Sequence, residues 1–315
     1  MTKRPSTMVA LLFTLFALAG LLAYSWLPAF LYFGLGYSPG SQTEIQLITT
    51  LYQVVIFALP TAIYYLARPA VRPALRLRGF DPLSALLIVL AAAVGVYALN
   101  WVSTYWSFLL RSLGYPVQSG MENAPGSLSS LSLMFVFAAI VPSISEELLL
   151  RGLLLPSLEQ TGRKRAVIIT GVAFALLHGR LQTLPTHVLL GVALGALVIS
   201  TGSILSSMLY HLAYNGTALV VAYMIVRQGD AQAQQPATLE GLVRSLPLAV
   251  ASLLVWGLLC YLAMYRGKTR QKNPLPPVER SPLASPVRAL LVLTVALLVA
   301  YEVYNALMLL QQMAA

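Results

Sequence analysis

Residues 128–155 read LSSLSLMFVFAAIVPSISEELLLRGLLL, and this stretch decides the fold. As a helix it would rise about 42 Å, more than enough to cross a hydrocarbon layer about 30 Å thick. Its only charged residues are Glu146, Glu147 and Arg151. Each charge near a bilayer centre costs on the order of 2.5–3.5 kcal/mol. Glu147 and Arg151 are four residues apart, share a helix face and can pair. Glu146 points about 100° away around the helix, so that pair does not account for it.

Further apolar runs lie at 8–33, 45–67, 84–107, 165–181, 184–200, 203–226, 245–265 and 287–310. The 315-residue chain is 58% hydrophobic and only 10% charged, against about 25% charged in an ordinary soluble protein. So few charges cannot solvate a surface, and lipid must cover much of it. The expected fold is therefore all-α: a polytopic integral membrane bundle of about nine transmembrane helices, with eight as the alternative count. The fifth and sixth runs are short and flanked by polar residues.

The net charge of +10 does not imply nucleic acid. With the N-terminus in the cytoplasm, the cytoplasmic segments hold Lys3 and Arg4, then Arg68, Arg72, Arg76 and Arg78, then Arg163, Lys164 and Arg165, and finally Arg266, Lys268, Arg270, Lys272, Arg280 and Arg288. The outer segments hold only Arg111, Arg180, Arg227 and Arg244. This bias predicts a plasma (inner) membrane protein with its N-terminus cytoplasmic and its C-terminus outside. The first run is too long for a signal peptide and reads as a retained helix. Residues 266–286 form a basic, Pro-rich cytoplasmic linker. Cys260 is the only cysteine, so no intrachain disulfide forms, and it reads as a packing residue.

Two later runs carry polar residues at helical spacing. Phe174 and His178 are i,i+4 in the fifth, and His211 and Asn215 are i,i+4 in the seventh. At about 1.5 Å per residue, Glu146, His178, His211 and Asn215 all fall roughly 12–18 Å from the cytoplasmic end of their helices. They would meet if the fourth, fifth and seventh helices are neighbours. Glu146-Glu147-Leu-Leu-Leu-Arg151, Phe174-Ala-Leu-Leu-His178 and His211-Leu-Ala-Tyr-Asn215 match E-E-x-x-x-R, F-x-x-x-H and H-x-x-x-N. In this order the chain resembles the CPBP family of CAAX prenyl endopeptidases and bacteriocin-processing or immunity proteins. The resemblance covers about residues 125–226. It divides the chain into N-terminal helices (1–124), a catalytic core (125–226) and C-terminal helices (227–315).

The resemblance implies an intramembrane endopeptidase whose partners are the bilayer and a membrane-embedded or membrane-tethered protein or peptide. Glu146 would be the general base, holding a water together with His178. His211 and Asn215 would donate to the oxyanion. Glu147, Arg151 and Phe174 would support them. No cofactor is needed, although Glu146, His178 and His211 plus water would also make a catalytic zinc set. Other protease chemistries lack their residues: there is no H-E-x-x-H or G-x-S-x-G, and the only aspartates, Asp81 and Asp230, lie in loops. Two other function classes fit the same pattern, a non-catalytic interaction or immunity protein and a proton-coupled transporter using Glu146 and Glu302. The remaining polar residues read as structural. His187 matches no motif, Glu302 and Asn305 suit a hydrogen bond to another helix, and Gly191 and Gly195 permit close helix contact.

Overall fold

A computed structural model describes residues 4–29, 42–118, 124–229, 237–271, 275 and 281–314. Part of the basic linker (272–274 and 276–280), Lys3 and Asp230 lie outside the described residues. The helices are α1 (Thr7–Ala29), α2 (Glu44–Ala67), α3 (Pro82–Ser112), α4 (Leu128–Thr161), α5 (Arg163–Leu177), α6 (Leu184–Thr201), α7 (Ile204–Gln228), α8 (Leu239–Thr269) and α9 (Ser285–Ala314). Among the described residues there are no strands. Eight of these helices are long and apolar enough to cross a membrane, and α5 is the exception. Their outward faces carry exposed Leu66, Leu254, Leu258 and Val292, as lipid contact requires. The chain is an integral membrane protein.

With 15 residues, α5 rises about 22 Å. That is short of the hydrocarbon thickness, so a helix starting at one edge ends inside the layer. His178 caps that end, and Gly179 then turns the chain back in the left-handed region (φ 60°). Helices α5 and α6 pack side by side through glycines. A Cβ built on Gly191 would meet the Gly171 carbonyl oxygen at 2.7 Å, while one on Gly195 would meet Val167 at 3.3 Å. The G-x-x-x-G face is thus used for close contact. Gly191→Ala is expected to cost about 1–3 kcal/mol, because the obstructing atoms are backbone. Gly257→Ala, with nothing within 4 Å of its Cβ position, should be neutral or stabilising. Thermal unfolding of the two variants in detergent checks the contrast, and equal transition temperatures would contradict it.

Prolines shape the helices around the future site. Proline has no N–H, so the carbonyl four residues earlier loses its helical donor. Beside Pro142 the Ala138 carbonyl accepts from Asn215 Nδ2 (3.1 Å). Beside Pro156 the Gly152 carbonyl accepts from the Tyr65 hydroxyl (2.5 Å). Each donor comes from another helix, so each of these two prolines creates an interhelical tie rather than an unpaired group in lipid. Pro185 lies in the first turn of α6, and the Leu181 carbonyl just before that helix accepts from Trp106 Nε1 of α3 (2.8 Å). Wide π-helical turns flank the acidic pair in α4, at Phe135–Ile140 and Leu148–Leu154, and a third lies in α2 at Val54–Ala58. Such turns often accompany functional sites.

At the end of the bundle where α3 begins and α8 ends, Arg266 Nε donates to Asp81 Oδ2 (2.6 Å) and Nη2 to Oδ1 (3.1 Å). This hydrogen bond, helped by the Ser84 backbone N–H, holds the Asp81 carboxyl below the usual carboxylate range. A depressed folded value means that stability from this pair is present above the unfolded value, about 3.9, and is lost as pH falls through the folded one. The stability gap between wild type and Arg266→Gln should therefore be constant near neutral pH. It should close below about pH 4 in a series of unfolding measurements. A gap unchanged at low pH would contradict the pairing.

Candidate active site

Helix α4 packs against α7 and α2, and α5 packs against α4 and α6. This arrangement brings every sequence-predicted site residue to one place. A cavity of about 300 Å³ is lined by Glu146, Phe174, His178, His211 and Asn215, with Gln53, His187 and Tyr214. A second cavity of about 220 Å³ shares Gln53, Glu146, Phe174 and His178 with the first. The rest of its wall is mostly apolar, from α1 (Leu21, Tyr24), α2 (Ile56, Phe57) and α4 (Leu150). Glu146 therefore stands where a polar chamber meets an apolar one.

The two glutamates have separate environments, as their places on the helix dictate. Glu147 is fully buried and its Oε1 accepts from Arg151 Nη1 (2.7 Å). The same oxygen lies 3.3 Å from His211 Nδ1. Arg151, also fully buried, gives its Nη2–H to the Gly191 carbonyl (2.9 Å) and lies over the Phe174 ring, 4.8 Å from its centroid. One guanidinium thus ties α4 to α5 and α6 through a carboxylate, a carbonyl and an aromatic face. Glu146 takes a different partner: its Oε1 accepts from Gln53 Nε2 of α2 (2.6 Å). Its Oε2 has no donor among the described residues.

The histidines are fixed through one nitrogen each. His178 Nδ1 lies 2.7 Å from the Phe174 carbonyl, four residues earlier. That oxygen can only accept, so Nδ1 carries the proton and Nε2 is left with its lone pair. His211 is held at Nδ1 by Glu147, which leaves its Nε2. Asn215 uses one Nδ2 hydrogen on the Ala138 carbonyl and keeps a second. Phe174 lies at the centre of this group, with its ring centroid 4.6 Å from that of His178 and 5.6 Å from that of His211. It does more than fill space.

Three of the polar lining residues, Gln53, His187 and Tyr214, were not anticipated as site residues. Gln53 sits in the apolar run 45–67, where an amide is itself a signal. His187, read from sequence as structural, lines the polar cavity with its ring centroid 4.0 Å from that of His178. Its position four residues before Gly191 places it on the face of α6 that meets α5. Glu302 lines neither cavity. It is buried on α9, where the Arg180 backbone, in the turn after α5, is the hydrogen-bonding group near its carboxylate. Tyr301 and Asn305 pack against Gly179, just after His178. Among the described residues no group of three His, Cys, Asp or Glu side chains is disposed to hold a metal ion.

Against this geometry, the comparisons with known proteins are specific. Residues 128–217 match the family model described as type II CAAX prenyl endopeptidase Rce1-like. The chain carries an Rce1-like domain. Neither the curated proteins nor the solved structures gave a match. The Rce1-like domain runs from the start of α4 into α7, and so includes all three motifs and the α5–α6 hairpin. It agrees with the CPBP resemblance of the sequence. Gln53 comes from outside it, on α2, and so does the apolar wall built by α1 and α2.

Proposed function

We propose that the protein is a glutamate-dependent intramembrane endopeptidase that hydrolyses a peptide bond in a membrane-embedded or membrane-tethered protein or peptide. The observation that carries this reading is the convergence of Glu146, His178, His211 and Asn215 on one cavity within an Rce1-like domain. Among the described residues neither Oε2 of Glu146 nor Nε2 of His178 has a hydrogen-bond partner, and the two can hold a water between them. Glu146 takes a proton as the water oxygen adds to the scissile carbonyl. The second Asn215 Nδ2 hydrogen supports the oxyanion. His211 adds a second donor through Nε2–H when both of its ring nitrogens carry protons. The tetrahedral intermediate collapses, the C–N bond breaks, and the proton held by Glu146 passes through His178 to the departing nitrogen. Acid and base return to their starting states, and no cofactor or protein nucleophile enters.

The reading has the protein in the plasma (inner) membrane with its N-terminus cytoplasmic and its C-terminus outside, which needs an odd number of crossings and so has α5 and α6 enter and leave the layer as one hairpin; the Arg and Lys distribution supports it. Comparing peptide termini in membranes from cells making wild type or Glu146→Ala tests the function. New termini found only with wild type would support it and identify the substrate. Matching profiles with a phenotype retained by both proteins would favour a non-catalytic interaction protein.

A further inference from the structure

The chain has only three histidines, and all three line one cavity. Two of them belong to the motifs of the proposed mechanism, and the third, His187, belongs to none. It lies in the first turn of α6, on the other side of the Gly179 turn from His178. Its Nδ1 is 2.9 Å from the Thr183 carbonyl, so this nitrogen is tied to the ring's own helix. The two rings are inclined by 30° with centroids 4.0 Å apart, while Phe174 meets His187 at 5.9 Å and His178 at 4.6 Å. Arg151 covers Phe174. The three rings thus form a compact triangle, in which His178 touches one ring on its own helix and one on the next.

We propose that His187 is a positioning residue for His178, acting by ring stacking. The proposal rests on the endopeptidase reading above. His178 is fixed by a single hydrogen bond at Nδ1, which sets the tautomer but leaves the ring free to swing about it. A ring in contact with its face removes that freedom and keeps Nε2 in the cavity with Glu146. The backbone contact of Gly171 with Gly191 sets the spacing of α5 and α6, and hence the distance between the two imidazoles. Misplacing a catalytic group by about 1 Å can cost on the order of 10²-fold in rate.

The test uses full-length protein and follows the rate at which the wild-type-specific termini appear in membranes, for Glu146→Gln, His187→Ala, His187→Phe and His187→Gln. Phe keeps a ring and loses the nitrogens, whereas Gln keeps a nitrogen donor and loses the ring. The expected result is a fall of about 10- to 100-fold for Ala and Gln, in kcat rather than KM, with near wild-type rates for Phe. Detergent unfolding of each variant identifies any that fail to fold, and Phe against Gln decides among those that do. Wild-type rates in all three His187 variants overturn the proposal while leaving the endopeptidase intact. Loss of activity in a folded Phe variant overturns it too. Unchanged termini in Glu146→Gln would instead overturn the endopeptidase reading.

Discussion

Replacing Arg151 by Met is expected to destabilise the bundle by about 3–5 kcal/mol, the usual cost of leaving a buried charge without its partner. Glu147 is fully buried, and without Arg151 it is left with no fixed positive charge and with the longer contact to His211 and the nearby Ser207 hydroxyl. The Gly191 carbonyl also loses its donor, and Phe174 loses the cation above its ring. Arg151→Lys should recover little, since a single ammonium cannot reach a carboxylate and a carbonyl in the geometry of a guanidinium fork. The double variant Glu147→Gln, Arg151→Met should recover much of the loss, because no net charge then remains buried without a partner. Chemical or thermal unfolding in detergent separates these cases. Equal stability of the Arg151→Met single and double variants would show that the loss comes from the Gly191 and Phe174 contacts and not from an unpaired buried charge.

The second large effect is on rate. Glu146→Gln should lower cleavage by at least about 10²–10⁴-fold, the contribution of a general base, while leaving the fold unchanged. The substitution is nearly isosteric, and a Gln oxygen can still accept from Gln53 Nε2. What it removes is the basic oxygen that takes the proton from water. The contrast with Arg151→Met is therefore sharp, since one variant is folded and inactive and the other is unstable. A Glu146→Gln protein that is as unstable as Arg151→Met would mean that the Glu146 carboxylate serves the fold.

Much of this site was legible in the order of the residues. The four-residue spacing of Glu147 and Arg151 gave their pairing, and the 100° offset of Glu146 set it apart from that pair. The face shared by Gly191 and Gly195 gave the close α5–α6 contact. Helix depth put Glu146, His178, His211 and Asn215 in one layer, and they line one cavity. Which helices complete the cavity was not legible. Spacing within a helix says nothing about its neighbours, so the arrival of α2 with Gln53 required the packing itself. His187 was passed over because it matched no motif, although its register with Gly191 and Gly195 marked it as facing α5. Asn215 makes the interhelical bond weighed for it, tying α7 to the Ala138 carbonyl with one amide hydrogen, and its second amide hydrogen remains for the cavity. The wide turns in α4 follow from no simple periodicity.

The central claim is that Glu146 drives attack of water on a peptide bond within the bundle. Membranes containing wild type or Glu146→Gln can be incubated in oxygen-18 water and their newly formed C-termini read by mass spectrometry. The account predicts specific new C-termini carrying the heavy oxygen with wild type, and none with Glu146→Gln. The same labelled termini at the same rate from both proteins would contradict it.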